Sequence, residues 1–182
     1  GLTVLPVLFN WPLVLMPIHI VFLEMIIDPA CSIIYESEKE EKDAMDKPPR
    51  KTTHKLMTPR VLVNGFAQGL SGIAAVVAVY WIAYAQGFEV EKIRAITFFA
   101  LVLVNLGLVY TNRSRTKLLL TIIKEKNSAA WWISLGTLTA LTLSLTIPIM
   151  RNIFHFSKVS FQEILWPTFF VVVAIIIAEF FK

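Results

Sequence analysis

Residues 17–35, PIHIVFLEMIIDPACSIIY, decide how the rest of the chain is read. The stretch is apolar enough to cross a bilayer, yet it carries Glu24 and Asp28, whose spacing puts both side chains on one helical face. At 1.5 Å per residue it runs about 28 Å, close to one hydrocarbon thickness. Pro29 follows at once. It lacks an N–H, and its ring clashes with the carbonyl of Met25, so the helix is expected to kink or open beside the acids. Two carboxylates and freed carbonyls suit a cation.

Outward from this stretch the chain has the composition of a membrane protein. Its 182 residues are 56% hydrophobic, with a mean hydropathy of +0.66. No Asp, Glu, Lys or Arg falls between Arg60 and Glu89, between Arg94 and Arg113, or between Lys126 and Arg151, and only Glu179 interrupts Ile164 to Phe181. Each block is roughly long enough to span, since a span takes about 20 residues. The net charge of +4 does not indicate a nucleic-acid partner, because the basic residues sit between the apolar blocks, where membrane topology accounts for them. Cys31 is the only cysteine, so neither a disulfide framework nor a thiolate metal site is available. The opening GLTVLPVLFN has no basic n-region and no cleavage site, and it is expected to be the second half of a helix in a chain whose upstream part is missing.

The expected fold is all-α, an integral membrane bundle of five full transmembrane helices plus the end of a preceding one. In order these are 1–9 (the end of a span), 17–35, a polar loop at 36–59, then 60–86, 95–112, 128–149 and 164–181. Thr58 and Pro59 read as the N-cap and first residue of a helix. Gly65, Gly69 and Gly72 share one face that can approach a neighbour closely. The segment from Asn112 to Asn127 is expected along the membrane surface. Trp131 and Trp132 mark a membrane entry, and Trp166 with Pro167 the start of the last span, which places Glu179 in solvent. Lys and Arg number thirteen on one set of alternating gaps and four on the other. That bias puts the 36–59 loop and the C-terminus in the cytoplasm.

An acid at a helix centre costs about 2.5–3.5 kcal/mol on insertion scales, so two in one span need an explanation. No Lys or Arg lies inside another expected span to pair with them, and His19, near the helix start, reads as interfacial. The remaining choices are protonation or a bound cation, both at home in ion or proton transport. Glu24 and Asp28 are therefore the candidate metal ligands. Asn105, the most polar central residue of its span, is either a weaker third ligand or an interhelical hydrogen-bonder. No Ser/His, Cys/His or HExxH arrangement suggests a membrane-bound enzyme of another kind. A different class of reading is a free-standing membrane protein that packs on a partner through Gly65 and Gly69.

The order of a truncated span, a broken acidic span, a loop with Met45-Asp46-Lys47-Pro48-Pro49-Arg50, and four further spans resembles the C-terminal transport region of P-type cation-transporting ATPases. The resemblance covers essentially the whole chain and is calcium-pump-like. It implies that the spans are the end of helix five and helices six to ten, and that Asp28 is the central cation-binding Asp of helix six. The ligand four residues earlier, an Asn in animal calcium pumps, maps onto Glu24. The family's Thr before the Asp is Ile27 here, and the following Gly is Pro29. The resemblance further implies a transported cation, Ca²⁺ by the oxygen ligands. Its partners would be the lipid bilayer, upstream helices and cytoplasmic domains of the same pump. ATP and Mg²⁺ would bind in domains absent from this chain, which has no D-K-T-G motif and would be inactive alone. The expected location is the plasma membrane of a prokaryote.

Overall fold

The computed structural model describes residues 4–9, 11–38, 58–114, 119–124 and 127–181; within these, the side chains of residues 5, 6, 28–31, 60, 120, 123 and 124 lie outside the description. Most of the 36–59 loop, including Met45 to Arg50, is therefore outside the described residues. The described residues form helices α1 (Val4–Phe9), α2 (Pro17–Glu36), α3 (Pro59–Ala85), α4 (Val90–Asn112), α5 (Leu119–Lys124), α6 (Ser128–Thr146), α7 (Pro148–Phe154) and α8 (Phe161–Phe180). Five of them, α2, α3, α4, α6 and α8, are long and apolar enough to cross a membrane. The all-helical class and the five spans are as the sequence leads one to expect.

Local chemistry sets the helix ends. The N–H of Val61 donates to Thr58 Oγ1 at 3.4 Å and Pro59 follows as the first helical residue, so α3 starts where its cap predicts. Gly87, at φ 72°, turns the chain after α3. Three boundaries differ from the expected ones. The fourth helix opens at Val90 rather than Ala95 because its charged first turns are held by polar partners. Lys92 Nζ lies 2.9 Å from Glu163 Oε1, and Arg94 donates to the carbonyls of His155 and Leu13. The last helix opens at Phe161, where the Ser160 N–H donates to Glu163 Oε2 at 2.7 Å in a capping box, so Pro167 lies inside it instead of at its start. Pro148 ends the α6 run at Thr146 and opens α7 as a separate short helix.

Helix α4 is the centre of the bundle. One flank packs on α3 and α8, the other on α2 and α6, and its buried residues, among them Ile96, Phe98, Ala100 and Val102, point to both. Helix approach depends on small residues where no hydrophobic drive between helices exists. A Cβ at Gly107 would collide with the Ile175 side chain of α8, and one at Gly72 would come 2.9 Å from Val104 Cγ1. Gly65 and Gly69 have nothing within 4 Å of that position. Of the glycine face on α3, Gly72 alone meets a neighbouring helix among the described residues.

Helix ends alternate between two sides. On one, Glu38, Arg113 and Asn127 join the end of α2 to the end of α4 and the start of α6, and Glu179 ties the end of α8 to the start of α5. On the other, Arg94, Lys92 and Glu163 join the segment before α2, the start of α4 and the start of α8. The helix ends that flank the segments richest in Lys and Arg thus fall on a common side. Glu179 is not in solvent: it is half-buried, and its Oε1 accepts the Leu119 N–H at 3.0 Å. The unbonded amides of a helix start attract a carboxylate.

Gly107→Val is expected to overpack the α4–α8 contact and lower stability by about 1–3 kcal/mol. Gly65→Ala, in open space, is expected to leave it unchanged or higher. Thermal unfolding of the detergent-solubilised protein checks both.

Candidate functional site

The acidic helix, α2, carries the candidate ligands Glu24 and Asp28. Helix α2 is unbroken through Pro29, so the expected opening does not occur. Its two ends are fastened to neighbouring helices, and the covalent consequence of Pro29 is limited to the Met25 carbonyl, which loses its i+4 donor. Glu24 is exposed on α2, as is Met25 at 72% exposure. The backbone of Asp28 is one turn further along the same helix, and its side chain lies outside the described residues. The face that carries Glu24 is thus left uncovered by the described helices.

Among the described residues Asn105 does not tie two helices together. Its Nδ2 donates to the Leu101 carbonyl at 3.0 Å, a bond within α4. An amide can satisfy itself on its own helix when the preceding turn offers a carbonyl lone pair. No group of three or more His, Cys, Asp or Glu side chains suited to a metal converges among the described residues. Helical spacing alone brings Glu24 and Asp28 to one face.

His19 is where the structure departs furthest from the sequence reading. It is 0% exposed rather than interfacial. Its Nδ1 accepts the Met16 N–H at 2.9 Å, which fixes the tautomer so that Nε2–H donates to the Phe154 carbonyl, also at 2.9 Å. The ring stacks on Phe156 at 5.0 Å between centroids, with Phe98 at 5.1 Å and Phe154 at 5.7 Å. The start of the acidic helix is pinned to the end of α7 in this way. The signal available in the sequence was the cluster of aromatics in NIFHF, but nothing there showed that it folds back on residue 19. His155, which follows, takes a left-handed conformation at φ 50° and turns the chain out of α7.

A groove of about 360 Å³ opens between α6 and α8, floored by Gly107 and lined by Leu103, Tyr110, Trp131 and Ile175 among others. Its hydroxyls are used internally. Tyr110 Oη bonds to the Ala130 carbonyl and to Ser134, and Thr168 donates to the Ile164 carbonyl. The groove therefore offers hydrocarbon rather than cation ligands.

The described residues thus form an all-helical bundle with five helices suited to a membrane, one of which carries two acids. The chain belongs to the family described as cation transporting ATPase, C-terminus, which matches residues 12–182. Among curated relatives, the Homo sapiens protein named calcium-transporting ATPase type 2C member 1 is 22% identical over 178 residues, 98% of this chain and 19% of that protein. The Bos taurus protein of the same name matches at 22% over the same share of each chain. The Mus musculus protein is 21% identical over 162 residues, 89% of this chain and 18% of that one. The chain spans about a fifth of the length of these relatives.

His19→Leu removes the partner of a part-buried N–H, that of Met16, and of a buried carbonyl, that of Phe154. We expect it to destabilise the domain by about 2–4 kcal/mol, read as a fall in unfolding temperature.

Proposed function

We propose that this chain is the cation-translocating part of an ATP-driven pump, with Glu24 and Asp28 as oxygen ligands for the transported ion. The reading rests first on one observation: the span with two acids one turn apart belongs to a cation-ATPase domain and leaves Glu24 exposed on a face that none of the described helices covers. A half-built site of this kind is completed by ligands from helices outside this chain. The Met25 carbonyl, deprived of its helical donor by Pro29, is a third oxygen of suitable chemistry. Asn105, whose amide nitrogen is engaged within α4, keeps its oxygen as a weaker donor. Oxygen ligands favour hard cations, and the names of the relatives point the same way, so Ca²⁺ is the proposed cargo.

In this proposal ATP and Mg²⁺ act in cytoplasmic domains of the complete pump, and the membrane helices are numbered five to ten from α1 to α8. The side with thirteen basic residues faces the cytoplasm by the positive-inside rule. A prokaryotic plasma membrane finds no support in the relatives named above, which are animal proteins, and it forms no part of the proposal.

Asp28→Asn in the complete pump is expected to abolish cation-dependent phosphorylation and transport, and Glu24→Gln to weaken cation affinity at least tenfold, a loss of about 1.4 kcal/mol. Ion uptake into vesicles with several candidate cations reads both. Wild-type affinity in the Asp28 variant sinks the ligand assignment. Orientation is read by labelling single cysteines in a Cys31→Ser background. Thr52→Cys is expected to react with an impermeant maleimide only from the cytoplasmic side, and Ser157→Cys only from the opposite one.

A further inference from the structure

At the end of α2 remote from His19, four polar side chains converge that the cation reading does not use. Glu38 Oε1 accepts from Arg113 Nε and, at 2.9 Å, from Asn127 Nδ2. Asn127 also donates to the Ile34 carbonyl at 3.4 Å, while its Oδ1 accepts the Ala130 N–H and so caps α6. The same Oδ1 receives the Ser37 hydroxyl at 3.1 Å. Arg113 ends α4, is nearly fully buried, lies over the Tyr110 ring, and donates to the Ile122 carbonyl of α5. A buried guanidinium would be strongly destabilising without its carboxylate, because the remaining charge would be uncompensated.

The location gives the cluster its meaning. Pro29 removes one backbone bond from the middle of α2, so the residues after it form a short arm joined to the rest of the helix by a weakened turn. That arm is the anchored part. Ile34 is 0% exposed against Val109 and Ala130, Tyr35 Oη reaches the Val109 carbonyl, and Glu38 is held as described. Asp28 lies eight residues, about 12 Å, before Glu36. Both acids precede Pro29: Asp28 lies within the turn from Met25 to Pro29 that lacks a backbone bond, and Glu24, which is exposed, lies just before that turn.

We propose that Arg113 and Asn127 are positioning residues for the cation site: by holding Glu38 they fix the arm after Pro29 against α4 and α6, and thereby set the placement of Asp28 relative to Glu24. Neither touches the ion. The proposal rests on the cation reading above, and it adds that affinity depends on a polar latch at the membrane edge. A misplacement of about 1 Å at a ligand is enough to lower its contribution severely.

The test uses the complete pump and measures the cation concentration for half-maximal ATP hydrolysis separately from the maximal rate per folded molecule. Arg113→Gln and Glu38→Gln are each expected to raise the half-maximal concentration about fivefold or more with the maximal rate kept within about twofold, and the double variant to show no further shift. Arg113→Lys, which keeps the charge, is expected to recover part of the affinity. If either variant does not fold, Asn127→Ser carries the test with the same expected shift, since it keeps a cap for α6 and the Glu38–Arg113 pair and removes the amide donor to Glu38. Unchanged affinity in an active pump, or shifts that multiply in the double variant, overturns the positioning role. An unaltered pump with no cation-dependent hydrolysis overturns the cation reading and this proposal together.

Discussion

Inside hydrocarbon there is no water to satisfy a backbone group and little hydrophobic gain in bringing two helices together. The bundle answers both conditions in two places. In the middle of the membrane, close approach comes from small residues, as where Gly107 meets Ile175 and Gly72 meets Val104. At the ends, polar ties do the fastening: Lys92 to Glu163 on one side, Glu38 to Arg113 on the other. Helix α4 touches nearly all of these and is buried on both flanks, so the remaining spans are arranged about it.

The acidic helix is the exception that this arrangement permits. It is held at its start by His19 and at its end by Ile34, Ser37 and Glu38, while the stretch with Glu24 and Met25 is left exposed. Fixing both ends allows a proline in the middle without loss of the helix, since neighbouring helices supply the stability that the missing bond withholds. In the proposed pump, that same missing bond frees a carbonyl where the ion is to be held. The stability of the domain and its proposed function therefore draw on different parts of one helix.

Much of the fold was legible because hydrophobic length is a direct reading of bilayer thickness. Long apolar blocks bounded by Lys, Arg and Trp marked the five spans, and Thr58 with Pro59 marked a helix start that the structure keeps. Two of the three boundaries missed were those at which charge lies within a helix, and the third was the break that Pro148 makes after Thr146. Val90 to Arg94 and Phe161 to Glu163 look like loop by charge alone, but their partners are remote in sequence, Lys92 with Glu163 and Arg94 with His155. His19 and Glu179 were misplaced for the same reason, each finding its partner across the bundle.

By itself the sequence determined the class of protein, the spans and the acid pair at Glu24 and Asp28, because these depend on side-chain transfer energies and on the helical repeat. Only the tertiary structure decided that His19 is a buried tie, that Asn105 bonds its own helix, and that Arg113 and Asn127 gather on Glu38. The ties at His19 and Glu38 join residues far apart in the chain. No local pattern encodes which helix end will meet which, since that follows from packing around α4.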